Sequence, residues 1–159
     1  MLKTAAWVPL LFGFAGSAMS SIILVLDQVL DTPATKRSPT WPMVFYGISM
    51  FSGQYYLSGL LDYVHVDNLV IHAVMAATAA LGFYIFDRTK AGFYLAVATA
   101  ISGPIAEILL INLANLYIYT HADILGICSW IPWVYFLGAP AVGNLARKLL
   151  VTQQETNIL

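Results

Sequence analysis

Two long apolar runs, Leu69 to Phe86 and Ala91 to Leu113, meet at one charged break, Asp87-Arg88-Thr89-Lys90. Each run is near the ~20 residues that an α-helix needs to cross a bilayer. The chain therefore turns here as a helical hairpin, which gathers Asp87, Arg88 and Lys90 at a membrane surface. Such a turn is either a polar loop that keeps two helices from merging or a surface that meets a partner. Along the whole chain the same pattern predicts spans at about residues 5–30, 41–61, 69–86, 92–117 and 124–145. The expected fold is all-α: a polytopic transmembrane helical bundle of about five spans, forming a single domain over residues 1–150, with a polar tail at 151–159.

Local signals refine these spans. Lys3, an apolar stretch and Gly16-Ser17-Ala18 resemble a signal peptide with its cleavage site. The apolar run continues through Ile22 to Leu26, however, so a retained helix is the preferred reading. Gly13, Ser17 and Ser21 recur every fourth residue and give that helix a face that another helix can approach closely. Asp31, Pro33, Lys36-Arg37 and Pro39 mark the first loop, and Trp41 opens the second span as an interfacial anchor. Ser52, Gly53, Gln54 and Gly59 imply that this second helix is buried against neighbours. In the fourth span, Gly103-Pro104 is expected to bend the helix, because proline frees a carbonyl.

Composition excludes several classes. The chain has 159 residues, 60% of them hydrophobic and 9% charged. A soluble domain carries roughly 25% charged residues. The net charge of −1 argues against nucleic acid as a partner. A lone cysteine, Cys128, excludes an internal disulfide and a Cys-based zinc site. With five spans, Lys36, Arg37, Arg88, Lys90, Arg147 and Lys148 fall on one side and only Lys3 on the other. That segregation places the amino terminus outside and the carboxyl terminus in the cytoplasm. The membrane is then the endoplasmic reticulum in a eukaryote, or an inner or thylakoid membrane in a bacterium or plastid.

Few residues offer chemistry. Glu107 is the one carboxylate well inside an apolar run, so it must face the bundle interior, be protonated, or pair with His72, Asn112 or Gln54. His72 lies about one turn inside its span, where an interhelical hydrogen bond is the simpler role. His65-x-Asp67 and His121-x-Asp123 share the outer side, but their spacing fits no metal motif. No nucleophile motif, phosphate loop or metal site is expected, no catalytic residue is assigned, and no cofactor is implied. A transporter or lipid-modifying enzyme built on Glu107 and His72 is one alternative. A structural or assembly subunit of a larger membrane complex is another.

Three blocks of residues resemble the Insig (insulin-induced gene) family. The first is Trp7-Val8-Pro9 with Gly13, Asp27, Trp41 to Phe51 and Gly53. The second is Phe86-Asp87-Arg88 with Lys90 and Gly92. The third comprises Tyr119-Thr120, Asp123, Ser129-Trp130, Pro132, Phe136, Gly138, Val142-Gly143-Asn144, Arg147 and Leu149. The resemblance implies a non-catalytic bundle that binds a lipid in an intramembrane cavity and an integral membrane protein through its cytoplasmic face. Eukaryotic members of that family bind oxysterols and engage Scap or HMG-CoA reductase; prokaryotic relatives hold diacylglycerol-like lipid. The family's partner-engaging aspartate falls on Asp87, so the expected partner surface is Asp87, Arg88 and Lys90. Its sterol-lining phenylalanine falls on Phe51 and its sterol-site glutamine on Val70. A cavity bordered by Phe51, Gln54, Val70, Pro104 and Glu107 is therefore expected, with sterol specificity open. The family usually has six spans, and this chain is expected to lack the first.

Overall fold

A computed structural model describes residues 7–157. It contains α1 (Trp7–Val29), the single turn α2 (Ala34–Arg37), α3 (Trp41–Tyr63), α4 (Asn68–Phe86), α5 (Lys90–Asn112) and α6 (Ile131–Thr156). The five long helices have 19 to 26 residues. At 1.5 Å per residue they are roughly 28–39 Å long, enough for a ~30 Å hydrocarbon core. By both length and apolarity, α1, α4 and α5 qualify as membrane spans. The helices α3 and α6 carry more polar residues, among them Gln54 and Ser58 on α3 and Asn144 and Arg147 on α6. These four side chains are buried inside the bundle.

Helix α6 is the hub. It packs against α1, α3, α4 and α5, while α3 also packs on α4 and α1 on α5. Close approach depends on two glycines. A Cβ on Gly82 would collide with Leu137, and one on Gly103 with the Tyr135 ring. One apolar core joins Ile23, Ala91, Leu95 and Ala96 to Ala139 and Ala146; another joins Ile71 and Met75 to Cys128, Trp130, Ile131 and Val134. Large apolar side chains such as Phe14, Val25, Tyr84, Ile101 and Ile105 stay exposed on the outer helix faces. A water-facing surface would not carry so many; a lipid-facing one does.

The helix boundaries correct the expected spans at the carboxyl-terminal half. The fourth long helix ends at Asn112, not near residue 117. Ala114 N–H reaches back to Leu109 O at 3.3 Å, and Asn115 adopts a left-handed φ of 51°, which stops the helix. The next helix opens at Ile131, not near 124. Ile124 and Ile127 instead exchange backbone hydrogen bonds of 3.1 and 2.9 Å across Leu125 and Gly126. Both central residues have positive φ, 47° and 89°, as a tight reverse turn requires. Helix α6 also runs on to Thr156, so most of the expected polar tail is helical. Helix α5 is continuous through Pro104, with Gly103 seated against Tyr135. Lys3 and the first residues of the expected first span lie outside the described residues.

Candidate functional site

The chain's polar side chains gather at the two ends of the bundle. At one end α1 finishes, α4 turns into α5, and α6 passes between them. Arg147 of α6 is buried there and uses all five of its N–H donors. Its Nε and Nη2 donate to the two oxygens of Asp27 at 2.7 and 2.8 Å. Nη1 donates to Asp87 Oδ2 at 2.9 Å and Asn144 Oδ1 at 3.2 Å, and Nη2 also reaches Thr89 Oγ1 at 3.3 Å. The other Asp87 oxygen accepts from the Thr89 N–H at 3.0 Å and from the Thr89 hydroxyl. Asn144 Nδ2 donates to Phe86 O at 2.7 Å. Three separate chain segments are thus tied by one guanidinium.

This geometry corrects the expected place of Asp87. It is only 1% exposed, so it is no free carboxylate on the surface, and it pairs with neither Arg88 nor Lys90. Those two cations do remain exposed. Arg88 lies 4.1 Å above the Tyr84 ring. The same end also carries Lys36 and Arg37 on α2 and Lys148, whose ammonium stands 6.0 Å from the Trp41 ring. Of the basic residues assigned to this side, Arg147 alone is buried and neutralised.

At the opposite end the 113–130 segment folds over the helices. Glu107 is buried, as expected, but its partners are tyrosines. Tyr119 and Tyr135 each donate a phenolic O–H to one carboxylate oxygen at 2.6 Å. Burial first, and then the Glu107 charge, push the Tyr119 phenol well above its ordinary range, so it stays a proton donor. Beside this cluster a groove of about 550 Å³ runs along α3; Tyr55, Ser58, Asp62, Tyr119, Cys128 and Trp130 help to line it. The expected cavity residues do not come together around it. Phe51 packs into the core near Gly138, Val70 is 48% exposed, and Pro104 is buried in α5. Gln54 donates to Met75 O and Thr78 Oγ1 at 2.9 and 2.8 Å, which leaves its Oε1 buried without a partner.

His72 belongs to another cluster, not to Glu107. Trp133 Nε1–H donates to His72 Nδ1 at 3.2 Å, and His72 Nε2 stands 2.9 Å from Ser129 Oγ. Ser129 in turn donates to Asp123 at 2.6 Å. Because Trp133 is donor-only, these partners assign the imidazole proton to Nε2. His72 therefore donates to Ser129 and cannot act as a base toward it. A serine, a histidine and an aspartate meet here with the proton order of a structural clasp. Burial works to raise the Asp123 carboxyl, but hydrogen bonds from the Ser129 side chain and backbone and from Asn68 outweigh it and hold the group below its ordinary value. Close by, His121 Nδ1 lies 3.0 Å from Asp62 Oδ2, and its ring meets the His65 edge at 4.9 Å. Among the described residues no set of three or more His, Cys, Asp or Glu side chains is placed to hold a metal.

Sequence reasoning missed the Arg147 network, the tyrosines on Glu107 and the Ser129 clasp. The first left half a signal: Asp27 is a lone charge inside the expected first span, and such charges pair, whereas Arg147 stood beside Lys148 just past the expected last span. The tyrosine and serine partners left none: Tyr119 fell in the short break expected between the spans at 92–117 and 124–145, and Ser129 and Tyr135 fell inside the latter span.

An all-helical bundle with lipid-facing flanks and internally tied charges defines an integral membrane protein. The chain belongs to the insulin-induced protein (INSIG) family, whose family model matches residues 1–150. It is 32% identical over 156 residues to the insulin-induced gene 1 protein of Danio rerio, covering 98% of this chain and 60% of that protein. It is 29% identical over 150 residues to the insulin-induced gene 2 protein of Gallus gallus, covering 94% of this chain and 64% of that one. The chain thus spans about 60% of the length of these relatives. Its fold is similar to a crystal structure of an Insig homologue from Mycobacterium vanbaalenii, with a TM-score of 0.79 at 21% identity over 92% of this chain and 74% of that one.

Proposed function

We propose that this chain is a non-catalytic regulator that holds one amphipathic lipid, sterol-like or diacylglycerol-like, in the groove along α3 and engages a membrane protein partner through its basic end. The groove carries the reading. Its volume of about 550 Å³ suits a small lipid, since ligand pockets commonly measure roughly 300–1,000 Å³. Asp62 and the Tyr119 hydroxyl oxygen offer acceptors for a hydroxylated head, while Tyr55 and Trp130 supply apolar walls. The partner surface is the α4–α5 turn, where Arg88 and Lys90 face outward and Asp87 holds the turn in shape. The basic end faces the cytoplasm by the distribution of Lys and Arg, which puts a eukaryotic protein in the endoplasmic reticulum.

The test is lipid analysis of the purified protein against a groove-filling variant. Gly59 lines the groove, and a Cβ there meets nothing within 4 Å. Gly59→Phe should therefore fold normally and lose the co-purifying lipid. Equal lipid content in both proteins refutes the groove as the site. Single cysteines at positions 36 and 65 in a Cys128→Ser background should label from opposite sides of the membrane; labelling from one side refutes the orientation.

A further inference from the structure

We infer that a second groove, between α4 and α5 at the basic end, binds the phosphate head of an anionic phospholipid. Its volume is about 330 Å³, and Phe83, Arg88, Thr89, Lys90, Phe93 and Tyr94 line it. Charge is the first argument. The turn's only carboxylate, Asp87, points inward and is neutralised by Arg147. Among the described residues no carboxylate stands within ion-pair distance of Arg88 or Lys90. The rim therefore presents two positive charges, and the amino terminus of α5, which opens at Lys90, adds positive potential. The Arg88 guanidinium carbon sits 4.1 Å over the Tyr84 ring, and among the described residues its N–H groups donate to no side-chain or backbone oxygen beyond the turn. A guanidinium fork held on an aromatic ring matches phosphate oxygens in geometry and charge.

The floor decides which phosphate compound fits. Phe83 and Phe93 meet edge to face at 5.9 Å, with Phe136 packed behind them at 5.8 and 6.3 Å. Phe93 is 47% exposed and Tyr94 57% exposed, so the groove opens sideways toward the surrounding membrane. A free anion would leave this aromatic floor uncovered. A glycerophospholipid covers it with its glycerol and upper acyl chain while the head reaches the cations. Tyr94 lines the site and Tyr84 carries Arg88, and aromatic residues of this kind favour the lipid headgroup region.

The experiment is native mass spectrometry of the full chain in detergent. It is offered equimolar palmitoyl-oleoyl phosphatidylglycerol and palmitoyl-oleoyl phosphatidylcholine. At about 1 kcal/mol for each cation, the glycerol lipid should be preferred roughly thirty-fold. Arg88→Asn with Lys90→Gln should erase the preference; asparagine suits the left-handed φ of 61° at position 88. Lys90→Gln alone, at an exposed site, should reduce it roughly five-fold and serves if the double variant does not fold. Equal binding of both lipids by the wild type, or a preference that survives Lys90→Gln undiminished, overturns the inference. Glycerol phosphate displacing phosphatidylglycerol at matched concentration would make this a free-phosphate site. Selective binding of a glutamate decapeptide, with no lipid preference, would make it a protein-docking surface. Either result also overturns it.

Discussion

Arg147→Met tests whether one guanidinium holds the basic end together. Methionine keeps much of the side-chain volume but removes five donors and the only positive charge facing two buried carboxylates. Breaking a buried pair by removing one partner costs about 3–5 kcal/mol, because the other charge is left without compensation. Here two such charges remain, Asp27 and Asp87, each at most 2% exposed. For a chain of this size ~1 kcal/mol corresponds to about 2–4 °C, so the melting temperature in detergent should fall by about 6–20 °C. The second arm is Asp27→Asn, which removes one of the two charges. In the Arg147→Met background it should do less harm than alone, with a coupling of roughly 1–3 kcal/mol. Fluorescence-detected size exclusion after heating reads the melting point, and titration with a denaturing detergent reads the coupling. A change below about 2 °C for Arg147→Met, or strictly additive losses in the double variant, would refute the reasoning.

Three further outcomes follow from the same geometry. Gly92→Ala should destabilise by about 1–3 kcal/mol, because its Cβ would strike the Asp87 carboxylate, which Arg147 and Thr89 hold in place; thermal melting reads it. Glu107→Ala should cost more than Glu107→Gln, since alanine leaves the Tyr119 and Tyr135 hydroxyls without an acceptor at about 1–3 kcal/mol each, whereas the amide oxygen still accepts. The Cys128 thiol is pushed up to about 12 from an ordinary 9.0, by burial first and then by the Asp62, Asp123 and Glu107 charges. It should resist maleimide at pH 8 until the protein is unfolded. With a raised folded value, its contribution to stability is intact below pH 9 and is lost as pH rises toward 12.

Apolar length made α1, α3 and α4 legible almost to the residue, because a bilayer imposes a minimum run and polar breaks end it. It failed at 113–117 and 124–130, where apolar residues such as Leu113, Leu116 and Leu125 continue without helix. Composition alone cannot separate a buried helix from a strap of backbone that is stabilised by side-chain bonds. Asn112 Nδ2 holding Leu125 O at 2.8 Å is such a bond. The helix expected from residue 124 hid Ser129, the partner of His72, and nothing in the expected break at Tyr119 pointed to Glu107. Asp27, Asp87 and Arg147 meet at the basic end, while Asp62, Asn68, His121 and Asp123 meet at the other. Counting Lys and Arg could not tell that Asp87 turns inward, since burial depends on an arginine 60 residues away.

That inward turn changes what an Asp87 substitution reports. Asp87 and Arg88 are adjacent, yet one is buried and the other exposed, and the left-handed φ of 61° at Arg88 is what sends the chain around between them. Asp87 fixes this turn by accepting from the Thr89 N–H and from Arg147. Asp87→Ala should therefore lower stability by roughly 3–5 kcal/mol, the cost of leaving a buried guanidinium short of one counter-charge, and loosen the turn that presents Arg88 and Lys90. Loss of a membrane partner in this variant would follow from the loosened turn without any direct contact. Arg88→Asn separates the two effects. Its side chain is exposed, so the melting temperature should hold while partner recovery falls. Co-purification and melting of both variants decide the matter: an Asp87→Ala protein as stable as wild type that still loses its partner would place Asp87 in the interface and refute the inward role.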